Sequence, residues 1–277
     1  MIVSDVRAFR RKWMSSTALL FYLLFTAAES RAEESRNIRD NSFLLEEAYN
    51  QEPGVIQHIQ AFQYFKDDSW SYSFTEEWPV PRETHQLSVT VPVNHLESDG
   101  SATGVGDLLL NYRYQLLLHD PVALAPRLSL VFPTGDNNKG LGDDSFGVQV
   151  NLPLSFELGR SWVTHWNLGV THLPDARGPS GVRKDTTAIN YGASAIYLPS
   201  ASANLLLELV GSSDESIQGD GFVRREESLF INPGVRFAVN HSSGLQIVPG
   251  IGVPIGLGPS EGEYGVFMYL SFEHPAF

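Results

Sequence analysis

The side chains able to do chemistry in this sequence are scattered, and their types argue for handling a solute rather than for covalent catalysis. The chain has no Cys, which excludes thiol catalysis, thiolate metal sites and disulfides. His165, Glu208 and several Ser are the raw material of a hydrolase, but the sequence is read as holding no nucleophile elbow of G-x-S-x-G form. A lone His among polar neighbours is more often a hydrogen-bonding residue, so the chain is read as a non-enzyme with no cofactor. Gly250, Gly252 and Gly256 resemble a dinucleotide loop only faintly. Their spacing is wrong, and Pro249 and Pro254 interrupt what should be a strand followed by a helix. Asp136, Asp143 and Asp144 form one cluster of the carboxylates that hard cations favour, and Asp214, Glu215 and Asp220 form another. Neither has EF-hand spacing. They are read as solvated loops, bridged by divalent ions to lipopolysaccharide, and no metal site is predicted.

What recurs instead is an amide or charge at every second position of short segments. Asp107, Asn111 and Arg113 alternate with Leu108, Leu110 and Tyr112. Gln149, Asn151 and Glu157 alternate with Phe146, Val148, Val150 and Leu152. Asn204 and Glu208 oppose Leu205 and Leu207, while Val266, Met268 and Leu270 make one greasy flank near the end of the chain. Arg127, His165, Asn232 and Arg236 take the polar side of their own segments. Successive side chains of a strand point to opposite faces, so each segment predicts a ribbon that is oily on one side and polar on the other. About twelve such segments are legible, near 55–65, 69–77, 85–94, 105–118, 124–133, 145–158, 161–172, 186–198, 202–211, 228–240, 244–255 and 263–272. Pro92, Pro153, Pro233 and Pro249 fall inside them, and because proline cannot donate to a ladder they mark bulges, strand sections beyond the membrane, or misplaced boundaries.

A soluble sheet usually shows Lys and Glu outward. Here the polar positions are mainly Asn, Gln, Ser, Thr and Gly, and Tyr112, Trp162, Tyr197 and Tyr264 stand near segment ends, where amphipathic rings suit a membrane interface. The pattern predicts an all-β fold, a transmembrane antiparallel up-and-down barrel with an oily exterior. The spacers agree from the third strand onward. Long ones (95–104, 134–144, 173–185, 212–227) alternate with short ones (119–123, 159–160, 199–201, 241–243), and the long ones carry much of the charge. On this reading Asp107, Asn111, Arg113, Arg127, Gln149, Asn151, Glu157, His165, Asn204, Glu208, Asn232 and Arg236 line the lumen. Leu108, Leu110, Tyr112, Phe146, Val148, Val150, Leu152, Leu205, Leu207, Val266, Met268 and Leu270 face lipid. The arginines and carboxylates either tune passage or pair across the lumen and plug it.

The ends of the chain read as addresses. Arg7, Arg10, Arg11 and Lys12 precede the apolar stretch 18–28 and the small residues Ser30 and Ala32, which is the three-part pattern of a signal peptide over 1–32. The net charge is −13, and losing that basic segment makes the chain more acidic still, which argues against nucleic acid as a partner. Residues 33–54 are expected to be a periplasmic lead-in or a plug, with the lead-in favoured. Phe43, Leu44, Leu45 and Ala48 are placed on one face of a short helical turn there. The barrel is expected over 55–277, with Phe277 as a carboxy-terminal sorting signal read by the outer-membrane assembly machinery.

The strings NSFLLEEAYNQEPGVIQHIQAF (41–62), GVGDLLLNYRYQLL (104–117), LSLVFPTGD (128–136) and GLGDDSFGVQVNLPLS (140–155) resemble the transporter-like outer-membrane family named for the MetA pathway of phenol degradation. That resemblance implies a bacterial outer-membrane barrel, exported by its signal peptide, that passes small and rather apolar or aromatic molecules. It implies no catalytic or ligand residues. The expected partners are membrane lipid, lipopolysaccharide and a small-molecule solute, and the competing reading is a non-conducting structural or surface-interaction barrel.

Overall fold

The computed structural model describes residue 38 and residues 42–97 and 101–276. The signal segment 1–32 and Phe277 lie outside the described residues. The alternating segments form one antiparallel sheet that closes on itself as a barrel of twelve strands. In chain order these are β1 (Val55–Phe65), β2 (Trp70–Trp78), β3 (His85–Leu96), β4 (Ala102–Val105, Leu108–Tyr114 and Leu117–His119), β5 (Val122–Leu124 and Arg127–Phe132) and β6 (Gly147–Asn151 and Leu154–Glu157). They continue as β7 (Trp162–Arg177), β8 (Arg183–Ser200), β9 (Ala203–Ile217), β10 (Val223–Phe237 and Val239–Asn240), β11 (Gln246–Gly252 and Ile255–Gly256) and β12 (Gly265–Pro275). Each strand pairs with its neighbours in sequence. The seam closes between β1 and β12, in unbroken register from Val55 opposite Pro275 to Phe65 opposite Gly265. No edge remains, so the backbone groups of the wall are satisfied within the sheet, as a lipid surround demands.

The breaks within strands have a local cause. Pro126, Pro153 and Pro254 sit at the gaps in β5, β6 and β11. A proline has no N–H, and the ladder skips a bond there. Pro92, Pro233 and Pro249 stay inside continuous strands.

Alternation is visible in exposure. Leu110, Tyr112, Phe146, Val148, Val150, Leu152, Leu205, Leu207, Val266 and Met268 are exposed, and Leu108 and Leu270 are half-buried. Between them stand buried polar residues such as Asn111, Arg113, Asn151, Asn204 and Asn232. Exposed rings gather at both rims. Trp162 packs against Tyr197, ring centroids 5.0 Å apart and tilted by 44°, at the end that carries the termini. Lys66 caps the Tyr264 ring at 5.7 Å at the distal end.

The expected long spacers at 173–185 and 212–227 are shorter than the sequence implies. β7 and β8 run on to residues 177 and 183, and β9 and β10 to 217 and 223, leaving turns of five residues each, 178–182 and 218–222. These stretches are polar on both faces, so period-two alternation vanishes although pairing continues. Their charges pair across the hairpins: Glu215 with Arg225 at 2.7 Å, Asp220 with Arg224 at 2.9 Å, and Asp175 with Arg183 at 3.5 Å.

Replacing Val150 or Leu207 with Arg is expected to lower the unfolding free energy by about 2–4 kcal/mol if the site is near mid-membrane. Urea titration in lipid vesicles measures this. An unshifted midpoint for both variants would contradict a lipid-facing exterior.

Candidate functional site: a coil inside the barrel

Before the first strand, the chain does not rest on the rim. Residues 42–54 run inside the barrel along its inner face. Ser42, Phe43, Leu45, Glu47, Ala48 and Gln51 are buried. The segment has bends at residues 43–45 but no helix, so the expected helical turn does not form. Its peptide groups are bonded by the wall instead of by one another.

The wall supplies these bonds strand by strand. The Leu44 N–H donates to Glu208 Oε1 on β9 at 2.9 Å. The Asn167 side chain on β7 bonds both peptide groups of Glu46, accepting from N at 3.0 Å and donating to O at 2.8 Å. Ser155 Oγ on β6 accepts from the Ala48 N–H at 2.8 Å. Gln115, beside β4, donates to Ala48 O at 2.8 Å and accepts from Asn50 N at 3.0 Å. Gln86 on β3 accepts from Gln51 N at 2.8 Å. The coil thus sweeps around the inner face from β9 back to β1, where the Gln51 amide donates to Gln57. A side-chain amide suits this task because it offers both a donor and an acceptor to one peptide unit.

Two arginines tie down the charged part of the coil. The Arg113 guanidinium donates to Tyr49 O at 2.6 Å, Glu47 O at 3.2 Å, Glu47 Oε1 at 3.3 Å, Asn50 Oδ1 at 3.0 Å and Gln86 Oε1 at 3.1 Å. Arg113 is 3% exposed and Glu47 1%, so this ion pair is buried. Arg127 holds Glu46 at 2.6 Å.

The apolar part is held by shape. Phe43 packs on Phe267 and Tyr269, ring centroids 5.3 and 5.7 Å apart. Gly234, Gly250 and Gly252 lie flat against its ring. A Cβ on Gly234 or Gly250 would stand 2.4 or 2.6 Å from a ring carbon. Leu45 packs against Gly192 in the same way. The Gly250 and Gly252 pair, faintly like a phosphate loop in sequence, is therefore part of a seat for an aromatic ring.

The remaining residues singled out in the sequence fall into three groups. Asn111 bonds Ser88 and Thr90 at 3.1 and 3.2 Å, Gln149 accepts from Arg127 and donates to Thr171 at 2.7 Å, and Asn151 donates to Asn167 at 3.1 Å. These are wall-to-wall bonds on the inner face. Glu157, His165, Asn204 and Arg236 line a cavity of about 770 Å³ that opens at the end carrying the termini. The His165 ring is bonded to Ser155 at 2.7 Å, and the Asn232 amide donates to Glu208 Oε2 at 2.6 Å. Asp107 stands apart at the distal rim. Its carboxylate accepts from the Gly135 and Asp143 N–H groups at 2.9 and 3.1 Å and so anchors the loop between β5 and β6.

Sequence reasoning missed Gln86, Gln115, Ser155 and Asn167 as partners of the coil and the arginine pairing of its Glu46 and Glu47, and it missed that one side of the inner face is apolar. Ile196, Leu206, Phe267 and Tyr269 point inward and cluster with Ile38 and Phe43. The signal was present as runs with no polar alternate, Leu205 to Leu207 and Val266 to Leu270. The reading that no G-x-S-x-G string exists also needs correction. Gly258-Pro259-Ser260-Glu261-Gly262 has that form. It lies in a 3-10 turn after β11, where Ser260 Oγ accepts from the Leu229 N–H at 3.1 Å, and no α-helix follows it. It is a loop anchor, not a nucleophile elbow.

Residues 54–253 match the model of a family described as the MetA-pathway of phenol degradation. The chain belongs to that family. Among solved structures, an outer-membrane channel from Pseudomonas putida F1 superposes with a TM-score of 0.63 at 18% identity, covering 82% of this chain and 97% of that one. The NanC porin superposes with a TM-score of 0.52 at 8% identity, covering 78% of this chain and 98% of that one. No curated protein matches the sequence. At these identities the likeness is one of fold. That fold is the outer-membrane barrel, and it places this family member in the outer membrane.

Arg113→Ala is expected to free the coil. Removing one partner of a buried ion pair costs about 3–5 kcal/mol, because the Glu47 carboxylate stays buried without its guanidinium. Hydrogen exchange at residues 43–51 should accelerate, and Glu47→Gln in the same chain should restore much of the protection. Unchanged exchange in Arg113→Ala would contradict this view of the coil.

Proposed function

We propose that the protein is an outer-membrane channel for small apolar or aromatic molecules, closed at rest by residues 42–54. One observation carries the reading. Among the described residues, the segment before the first strand lines two of the barrel's cavities, through Ile38 and Tyr49 in one and Phe43 and Leu44 in the other. One, of about 770 Å³, lies toward the end that carries the termini, against His165, Asn204 and Arg236. The other, of about 370 Å³, lies in the distal half against Gln63, Ser71, Ser73 and Asn94. Phe43 and Leu44 form the floor of the second. Moving the coil would join the two into a path.

The manner of attachment supports a movable closure. The coil is held by side chains rather than by strand pairing. Each such bond contributes only about 0.5–1.5 kcal/mol net, because water replaces it on release. The lining suits the proposed cargo: amides and hydroxyls on one side, and the Ile196, Leu206 and Phe267 patch on the other. The mechanism is passive diffusion, with Arg113 and Arg127, their carboxylate partners Glu47 and Glu46, and Arg236 setting the field along the path. Lipopolysaccharide and the assembly machinery are the proposed partners at the membrane, Phe277 the proposed sorting signal, and residues 1–32 the proposed signal peptide. The competing reading, a barrel that never conducts, draws on how completely Arg113 is bonded.

Planar-bilayer conductance separates the two readings. The full chain should show a low current. Deletion of 42–50 should raise it several-fold while the barrel keeps its heat-modifiable migration. A folded deletion variant with no current would reject the channel.

A further inference from the structure

We propose that the seat of Phe43 is a binding site for a hydroxylated monocyclic arene, and that Phe43 is its tethered competitor. The inference rests on the channel reading and names the site at which the solute would meet the plug.

Three glycines from two neighbouring strands, Gly234 on β10 and Gly250 and Gly252 on β11, make a wall with no side chains. A Cβ on any of them would come within 2.4 to 3.1 Å of the Phe43 ring. Phe267 and Tyr269 on β12 complete the slot, tilted by 33° and 38° to the ring plane. Offset, tilted aromatic packing of this kind is favourable for any six-membered arene, whatever chain it hangs from. In this structure one flat ring, that of Phe43, occupies the slot.

A second observation points to the substituent. Asn232 is fully buried beside the slot, and its amide nitrogen is committed to Glu208 Oε2 at 2.6 Å. That bond turns the amide so that its Oδ1 points away from Glu208. The Asn232 Oδ1 is left buried with no donor, and it lies 2.6 Å from where a Gly252 Cβ would stand. A buried acceptor without a donor is costly. The phenyl ring of Phe43 has no donor to give it. A ring that carries a hydroxyl does.

The slot is also well placed for a passing solute. Phe43 floors the distal cavity, and Ile38, which clusters with Phe43, lines the opposite one. An arene that enters from outside would displace Phe43, take the seat and loosen the coil at its apolar end. The cargo itself would release the plug.

The test is ligand-observed fluorine NMR of 4-fluorophenol with detergent-solubilised barrel, which needs no ion current. Phe43→Ala should bind saturably. The full-length parent should bind at least tenfold more weakly, as expected if Phe43 fills the seat about nine-tenths of the time or more. Fluorobenzene, which has no donor, should bind Phe43→Ala more weakly than 4-fluorophenol. Phe43→Ala with Gly250→Val, which fills the seat, should lose binding while the barrel keeps its heat-modifiable migration. Equal binding by parent and Phe43→Ala, or binding that survives Gly250→Val, would overturn the proposal. A barrel that conducts on deletion of 42–50 but shows no seat in Phe43→Ala rejects the site alone. One that binds but never conducts supports the site and rejects the channel.

Discussion

A stretch of chain without a partner strand can lie inside a closed barrel only if the wall bonds its peptide groups. The sheet satisfies its own backbone and has none to spare for a guest. The inner side chains must therefore do it, and they do so in an ordered way: Glu208, Asn167, Ser155, Gln115 and Gln86 each take one or two peptide groups of residues 44–51. This constraint explains why the inner face is built from amides, hydroxyls and carboxylates. It also explains why the coil is irregular. A helix would satisfy its own peptide groups and leave those side chains buried without donors.

The same constraint divides the inner face in two. Where polar side chains bond the backbone of residues 44–51, the wall is polar. Where the coil presents Phe43 and, further on, Ile38, the wall is Ile196, Leu206, Phe267 and three bare glycines. A coil held in this way has a specific end, with Arg113 and Glu47, and an adaptable end, with the ring in its slot. The specific end fixes register. On the proposed gating, release begins at the adaptable end, because an apolar contact can be replaced by another apolar molecule without leaving a charge behind.

Much of the fold was legible. The run from Phe146 to Leu158 alternates without interruption, and residues of this kind located all twelve strands, although the distal ends of β7, β9 and β10 run five or six residues beyond the expected bounds. Less was legible where both faces carry the same character. The polar hairpins around Asp175 and Asp214 looked like loops because nothing alternates there, although the strands continue. Phe267 and Tyr269 were not recognised as inward because their outward neighbours Val266 and Met268 are equally apolar. The coil was the hardest part. Glu46 and Glu47 read as part of a lead-in segment, and their arginine partners, more than sixty residues away, bring them indoors. Gly250 and Gly252 carried a real signal of close approach, but sequence could not say that the approaching group is a phenyl ring.

The central claim is that residues 42–54 occupy the lumen in the membrane and keep it closed. The chain has no Cys, so an introduced pair reports without background. Ala48 on the coil and Ala123 on β5 are both fully buried and belong to one apolar cluster, so a cysteine pair there tests whether the coil lies against that strand. In Ala48→Cys with Ala123→Cys, assembled in lipid bilayers, the account predicts a disulfide that forms on mild oxidation. It also predicts a current that stays at the closed level until the bond is reduced. Failure of the two thiols to join in a folded barrel, or a bridged barrel that conducts as freely as one lacking the coil, would contradict it.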